Sequence, residues 1–117
     1  MSLGSIFNKI LSFGDDGSRI DEEELKAVMD SGEPFTLIDV RNPNEVSTGR
    51  IPKSIPIPLS MLENKNIPCK GKIILYCAGG VRSVKAKSIL KSKGCSDVVD
   101  LKGGINAWVK AGNKIIR

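Results

Sequence analysis

The chain has no histidine among its 117 residues, and this absence excludes a large part of catalytic chemistry. Without an imidazole, Ser-His and Cys-His nucleophile pairs, His-ligated zinc and imidazole acid-base catalysis are all excluded. The three cysteines, Cys69, Cys77 and Cys95, are too widely spaced for a CxxC redox pair and too few for a four-thiolate zinc site. A reactive thiol in this chain must therefore be ionised by groups other than histidine.

The chain is also poor in aromatic residues and in long apolar runs. Aromatic side chains make up 4% of it and the lysines are spread thinly, so we expect no nucleic-acid binding. No apolar run approaches the roughly 18 residues of a transmembrane helix, and the N-terminus lacks the regions of a secretory signal. An odd cysteine count argues against a disulfide framework. Together these absences predict a cytoplasmic protein, and its net charge of +5 favours small anionic substrates.

The pattern predicts one domain over residues 18–117 and a separate leader over residues 1–17. Hydrophobic residues make up 40% of the chain and charged residues 26%, as in an ordinary globular protein. Apolar residues of the leader recur at roughly helical spacing before a Gly/Asp cluster. We expect a short helix packed on the domain or a frayed terminus, with docking on a partner or membrane surface as the alternative.

Residues 20–112 alternate between strand-like apolar runs and segments of helical period. Strands are predicted in PFTLIDV, SIPIPL, KIILYC and DVVDL, with SIPIPL at an edge because proline removes ladder donors. Helices are predicted after Asp21, after Pro43, over 60–64, over 83–94 with its lysines opposite the apolar face, and in GGINAWVKAG. This alternation indicates an α/β fold with a mainly parallel sheet.

Cys77 ends the most apolar strand, in the stretch ILYCAGGVRSVKAK, directly before a predicted helix. Functional loops of parallel sheets gather at the carboxyl ends of strands. Gly79 and Gly80 permit the sharp curl that a short loop needs, so that successive N–H groups can point at the sulfur and form an anion cradle. The alternative interpretation is a small core residue without chemistry.

Hydrogen bonds from the loop are the main expected source of thiol activation. Lowering a thiol pKa from about 8.5 to about 6.5 requires ~2.7 kcal/mol. A helix N-terminus supplies about 0.3 to 1 kcal/mol, whereas each hydrogen bond to a charged group contributes roughly 1.5 to 3. Arg82 would add positive charge and a donor fork suited to an oxyanion. Ser83 is predicted to be either the helix N-cap or a hydroxyl donor to the sulfur.

Over residues 18–114 the chain resembles the rhodanese family of single-domain sulfurtransferases. Four segments carry the resemblance: LIDVRNPNEVSTGRIPKSIPIPL, IILYCAGGVRS, SILKSKGCSDVVDLKGG and INAWVKAG. It implies a single rhodanese-like α/β domain, with a five-stranded, mainly parallel central sheet and helices on both faces. It further implies that Cys77 is catalytic as the carrier of a persulfide. The residues expected to bind the persulfide and substrate are Ala78, Gly79, Gly80, Val81, Arg82 and Ser83.

Other positions resemble the family's charged residues or depart from its pattern. The family's structural acid and base are matched by Asp39 and Arg41, and its later acid is matched by Glu45. We expect these side chains to form salt links that hold the fold. Where the family reads Gly-His-Ile-x-Gly-Ala, this chain reads GRIPKS, so that Arg50 and Lys53 replace the histidine and the glycine. The departures put the shape of that loop in question, and the two added cations favour anionic donors.

The resemblance implies a double displacement. The Cys77 thiolate attacks the outer sulfur of a small anionic donor such as thiosulfate, sulfite leaves, and cyanide or a thiol acceptor removes the bound sulfur. A thioredoxin-like or sulfur-carrier protein could be that acceptor. Neither a metal ion nor an organic cofactor is required.

Two other classes of function remain open. One is a rhodanese-like binding or regulatory module that has lost catalysis, against which the presence of Cys77 argues. The other is a cysteine-dependent phosphatase or arsenate reductase on the same fold. Those enzymes carry a loop one residue longer than the four residues between Cys77 and Arg82, and the shorter loop suits sulfur better than phosphate.

Cys95, Cys69 and Trp108 are expected to have ordinary roles. Cys95 follows the helix-ending Gly94 at an apolar position and is predicted to be a buried core residue. Cys69 lies in a polar loop, and a disulfide with Cys77 or with a partner is the less favoured alternative. Trp108 is assigned to packing.

Overall fold

Five parallel strands form the central sheet in the computed structural model, which describes residues 18–117. They run in the spatial order β1-β5-β4-β2-β3. Their bounds are β1 (Arg19–Ile20), β2 (Phe35–Asp39), β3 (Ser54–Pro56), β4 (Lys72–Tyr76) and β5 (Val98–Leu101). The four strands predicted from apolar runs are confirmed, and the proline-containing β3 lies at an edge as expected. The five-stranded sheet that the resemblance implies is confirmed, but the sequence pattern did not locate the two-residue β1, which pairs with β5.

The described residues form five helices, of which four connect strands and the fifth follows β5. They are α1 (Glu22–Asp30), α2 (Pro43–Val46), α3 (Leu59–Leu62), α4 (Arg82–Ser92) and α5 (Gly104–Lys110). The capping box expected at Asp21 is present, because its carboxylate accepts from the Glu24 N–H at 2.8 Å and Glu24 accepts from the Asp21 N–H at 3.0 Å. None of the helices in residues 18–117 is long and apolar enough to cross a bilayer.

The helices cover both faces of the sheet, as the resemblance implies. Alternate residues of β4 point to opposite faces, so Ile74 and Tyr76 enter one apolar cluster while Ile73 and Leu75 enter the other, which Cys77 joins directly after the strand. The first cluster is completed by Leu25 of α1 with Ile105 and Trp108 of α5, and the second by Leu62 of α3 with Ala86 and Leu90 of α4. The packing role assigned to Trp108 is confirmed, since its side chain is buried in the first cluster.

Strand β4 is the structural centre of the site. It pairs in parallel with β2 on one side and β5 on the other, and its last four residues are buried. Because the strands run in the same direction, their carboxyl ends meet at one edge of the sheet. Cys77 therefore leaves β4 between the ends of its two neighbours.

Residues 77–81, which join β4 to α4, are called the active loop, and the expectation for the two cysteines outside it is wrong. Cys69 and Cys95 form a disulfide, with 4.9 Å between their Cα atoms, and Cys77 is the free cysteine. Gly94 adopts a φ of 100° at the end of α4 and turns the chain toward the loop that carries Cys69. Cys95 is buried, as predicted, but as half of a cross-link rather than as a simple core residue.

The loop with the departures from the family pattern keeps a defined shape. Lys53 stands in the left-handed region with a φ of 70°, at the position where the resemblance gives glycine. The backbone of Arg50 pairs with that of Ile116, donating at 2.8 Å and accepting at 2.8 Å. The replaced glycine is thus tolerated at the cost of backbone strain. The helix predicted in the leader, residues 1–17, lies outside the described residues.

Candidate active site

The Cys77 sulfur lies inside the curl of the loop that joins β4 to α4. The N–H of Gly80 donates to Sγ at 3.2 Å and the N–H of Ser83 at 3.4 Å, while the Ser83 hydroxyl oxygen is 3.6 Å away. Gly80 reaches this position with a φ of 95°, which explains the glycine there. The loop thus supplies the converging donors that the sequence predicts around this thiol.

Burial and hydrogen bonding act on the thiol in opposite directions. Burial raises the pKa of Cys77, but donation from the Ser83 hydroxyl and from the N–H groups of Ser83, Gly80 and Arg82 outweighs it, and the net pKa is lowered. The residue itself is 1% exposed, whereas Gly79 and Val81 of the loop are exposed. The site therefore combines a stabilised thiolate with exclusion of water, which strengthens each of these interactions.

Ser83 contacts the sulfur but does not cap the helix. Helix α4 begins one residue earlier, at Arg82, with Val81 in the N-cap position and no side chain capping it. Ser83 is consequently in the first turn, where its N–H has no partner within the helix and is available to the sulfur. Of the two roles left open by the sequence, the N-cap is wrong and the contact with the sulfur is present.

The start of α5 supports the active loop from behind. The N–H of Ile105 donates to the Cys77 carbonyl at 2.9 Å, and the N–H of Asn106 donates to the Ala78 carbonyl at 3.1 Å. Gly104 has a φ of 60°, and a Cβ there would collide with both carbonyl oxygens. Two backbone segments can approach so closely because this residue has no side chain. The sequence places Gly104 before a helix, but nothing local indicates that this helix holds the loop of Cys77.

Arg82 is held by Glu45 rather than aimed at the sulfur. Its two terminal nitrogens donate to the two carboxylate oxygens of Glu45 at 2.7 and 2.9 Å. This hydrogen bond from Arg82 outweighs the effect of burial and lowers the pKa of Glu45 to about 2. The guanidinium fork expected to bind an oxyanion is therefore occupied in this structure, and Arg82 acts on the sulfur through its backbone N–H and its charge. Glu45 forms the salt link expected of it.

Asp39 and Arg41 also form the expected salt link, at the neighbouring strand end. Arg41 Nη2 donates to Asp39 Oδ2 at 2.7 Å, and the same nitrogen donates to the Gly49 carbonyl at 2.7 Å. Both side chains are buried. The guanidinium carbon lies 5.7 Å from the centre of the Tyr76 ring, within cation–π range. The pair thereby ties the segment after β2 to the sheet.

A charged cluster behind Ser83 was missed by the sequence reasoning. The Ser83 hydroxyl lies 3.0 Å from the carboxylate of Asp100 in β5, which also accepts from Arg19 and Lys87, each at 2.9 Å. Arg19 in addition donates to the Gly80 carbonyl at 2.7 Å. The expectation that the lysines of α4 lie opposite its apolar face is wrong for Lys87, which is 3% exposed because it pairs with Asp100. A carboxylate inside the apolar run DVVDL was the available signal, since a buried charge needs a partner.

Within residues 18–117, no group of three or more Cys, Asp or Glu side chains is arranged to hold a metal ion. The groups that the described site does bring together are the Cys77 thiol, backbone N–H donors and charged side chains.

The sequence that forms this site matches a known protein family. A family model described as "Rhodanese-like domain" matches residues 21–111. The chain belongs to the rhodanese-like domain family.

Named relatives and solved structures agree with this assignment. A "Sulfurtransferase" of Allochromatium vinosum is 33% identical over 101 residues, covering 85% of this chain and 94% of that protein. "Probable adenylyltransferase/sulfurtransferase MoeZ" of Mycobacterium tuberculosis is 41% identical over 98 residues, which are 80% of this chain but 25% of that longer protein.

Two solved structures share the fold at about the same sequence identity as the first of these relatives. A rhodanese-related protein from Thermoplasma volcanium superposes with a TM-score of 0.76 at 33% identity, covering 84% of this chain and 96% of its own. A protein of unknown function from Rhodopseudomonas palustris, described as a possible tyrosine phosphatase, superposes with a TM-score of 0.78 at 30% identity, covering 85% and 84%. The fold is thus shared by proteins to which different chemistries are ascribed, and function must be argued from the site.

Proposed function

We propose that this protein is a sulfurtransferase that moves sulfane sulfur through a persulfide on Cys77. The observation that carries the proposal is the free thiol at the end of β4, whose sulfur accepts backbone N–H bonds from Gly80 and Ser83. Donors arranged in this way stabilise a thiolate before the reaction and the terminal sulfur anion after it. Family membership and the sulfurtransferase names of its relatives support the same activity.

The reaction balances without a further oxidant or reductant. The thiolate of Cys77 attacks the outer sulfur of thiosulfate, a sulfur–sulfur bond forms, and the bond to the sulfite group breaks with its electron pair leaving on sulfite. Cyanide or a thiolate then attacks the terminal sulfur, and the electron pair of the persulfide bond returns to Cys77. The donor in this proposal is a small anion, and the net charge of +5 favours its approach.

The acceptor in the proposal is cyanide in the test tube and a thiol or a sulfur-carrier protein in the cell. The support is a relative whose name combines sulfurtransferase with adenylyltransferase, since adenylylation activates an acid for attack by a nucleophile such as a persulfide. A cytoplasmic location stays a prediction from the sequence. The Cys69–Cys95 disulfide argues against a strongly reducing compartment.

Phosphatase or arsenate reductase chemistry is the second candidate, and the structural neighbour described as a possible tyrosine phosphatase favours testing it. Four residues separate Cys77 from Arg82, and the Arg82 fork is engaged by Glu45. A phosphoryl group has to sit inside the cradle to be attacked, which needs a wider loop and a free guanidinium, whereas only the outer sulfur of thiosulfate has to enter it. We therefore expect no turnover of an aryl phosphate. The third alternative, a module without catalysis, predicts a Cys77 that takes up no sulfur.

Intact-protein mass spectrometry tests the proposal. Incubation with thiosulfate is expected to add about 32 Da, the mass of one sulfur atom. Cys77→Ser is expected to remove the adduct, while the matched variants Cys69→Ser and Cys95→Ser keep it. No adduct on the parent protein with thiosulfate, polysulfide or a low-molecular-weight persulfide would leave the binding module as the better account.

A further inference from the structure

The charged cluster behind Ser83, formed by Arg19, Lys87 and Asp100, has an arrangement that the proposed reaction does not by itself require. Asp100 is fully buried, and its carboxylate accepts from Arg19 Nη2 and Lys87 Nζ, each at 2.9 Å. Its Oδ2 also lies 3.0 Å from the hydroxyl oxygen of Ser83, which is equally buried. The cluster therefore contains two cations and one carboxylate. The Ser83 hydroxyl connects the carboxylate to the sulfur of Cys77, and Arg19 also contacts the loop through the Gly80 carbonyl.

The donors and acceptors fix the direction of each hydrogen bond. An ionised carboxylate only accepts, so the Ser83 hydroxyl donates to Asp100 when Cys77 is a thiol. The lone pairs of that hydroxyl then face the sulfur at 3.6 Å and can accept its S–H. Once Cys77 loses its proton, the one hydroxyl proton of Ser83 has two anionic acceptors, the carboxylate and the thiolate.

The two cations decide this competition. Arg19 and Lys87 together satisfy both carboxylate oxygens, and Arg19 contributes through Nε as well as Nη2. Because Asp100 keeps these charged donors, it loses little when the Ser83 hydroxyl rotates toward the sulfur. The rotation needs no movement of a heavy atom, since the Cys77 sulfur and the Asp100 carboxylate oxygen both already lie within reach of the hydroxyl.

We propose that Lys87 and Asp100 are positioning residues that control whether the Ser83 hydroxyl donates to Cys77 or to the carboxylate. The inference deepens the proposed function, because it rests on Cys77 being the sulfur acceptor. Lys87 releases the hydroxyl toward the sulfur, and Asp100 competes for it. The two residues therefore act on the thiolate in opposite senses although they are bound to each other.

Other charged groups that face the thiol also influence its pKa. They are Arg19 of β1, Arg82 at the start of α4, and Glu45 of α2, which pairs with Arg82. Helix α5 contributes backbone N–H groups that contact the loop carbonyls. Substitution of Lys87 leaves all of these in place, whereas Asp100→Asn also weakens the pairing of Arg19, whose Nε and Nη2 donate to the Asp100 carboxylate.

Ultraviolet titration of the Cys77 thiolate, without reductant, tests the inference. Cys77 is the free cysteine while the Cys69–Cys95 disulfide is intact, and burial raises the pKa of Tyr76 so that its phenolate does not overlap the signal. Lys87→Met is expected to raise the thiol pKa by about one pH unit, through loss of a charge and of hydroxyl donation. Asp100→Asn is expected to lower it. A merely structural role would loosen the cradle and raise the pKa in both variants.

Three further variants make the test specific. Lys26→Met removes an equivalent charge from the exposed face of α1 and is expected to leave the titration unchanged. Lys87→Arg restores the charge and is expected to restore the pKa toward the parent value, which keeps the test decisive even if Asp100→Asn fails to fold. In a Ser83→Ala background, the effect of Lys87→Met is expected to fall to half or less.

The inference is overturned if folded Lys87→Met and Asp100→Asn shift the pKa in the same direction, or if neither moves it by more than about 0.3 pH units. An undiminished effect of Lys87→Met in the Ser83→Ala background also overturns it. The titration uses no sulfur donor, so its outcome is separate from that of the proposed function. Opposite shifts without any persulfide would retain the positioning role and reject sulfur transfer.

Discussion

Gly104→Ala is the substitution that most directly tests how the active loop is held. The residue has a φ of 60°, and an added Cβ would collide with the carbonyl oxygens of Cys77 and Ala78. A non-glycine residue in the left-handed region costs about 1 to 2 kcal/mol. Overpacking against backbone that cannot rotate away adds about 1 to 3 kcal/mol, so we expect the free energy of unfolding to fall by about 2 to 5 kcal/mol.

Gly112→Ala is the matched control at the other end of α5. Its φ is 85°, but a Cβ there meets no atom within 4 Å, so only the backbone penalty of about 1 to 2 kcal/mol applies. The difference between the two variants isolates the collision with the loop.

The assay is urea unfolding followed by fluorescence of the buried Trp108, together with titration of the Cys77 thiol. Gly104→Ala is expected to raise the thiol pKa, because displacing the two carbonyls moves the N–H groups of the cradle away from the sulfur. Equal losses of stability in Gly104→Ala and Gly112→Ala, with parental thiol titration in both, would refute the view that the start of α5 positions the loop.

Three other predictions concern stability. Glu45→Gln is expected to lower the free energy of unfolding by about 1 to 2 kcal/mol, a value discounted for solvent because each partner is about one third exposed. Since Arg82 lowers the pKa of Glu45 to about 2, this stabilisation is present above pH 4.5 and disappears as the pH falls through about 2. Acid unfolding of the parent and the variant should therefore converge near that pH. Cys69→Ser removes a cross-link of sequence separation 26 and is expected to lower the free energy of unfolding in urea by about 3.5 kcal/mol. Reductant should lower the stability of the parent by the same amount and that of the variant no further. The variant should still form the persulfide. Lys53→Gly relieves a φ of 70° and is expected to gain about 0.5 to 1 kcal/mol, whereas Lys53→Ala, which keeps the strain, should gain nothing.

The sequence predicts the sheet and the active loop well because both depend on local patterns. The apolar run ending at Cys77 and the helical period after it place the thiol at a strand end. Gly80 indicates the curl of the loop, and its N–H does donate to the sulfur. The edge position of β3 follows from its prolines in the same way.

Features that join distant parts of the chain could not be predicted so well. Cys69 and Cys95 are 26 residues apart, and nothing local shows that the turn after α4 brings them together. The two-residue β1 is too short for any periodicity. A lysine in a helical segment is expected to be exposed, and the burial of Lys87 depends on Asp100 in the following strand. Pairing of this kind is set by the tertiary fold rather than by the surrounding residues.

The central claim is that Cys77 accepts a sulfur atom and passes it on. The most direct measurement uses thiosulfate carrying an isotopic label in its outer sulfur, followed by peptide mapping before and after cyanide. The account predicts one labelled sulfur on the peptide that contains Cys77, its complete release as labelled thiocyanate, and no label on that peptide in Cys77→Ser. An unlabelled Cys77 peptide, or label that cyanide does not remove, would contradict it.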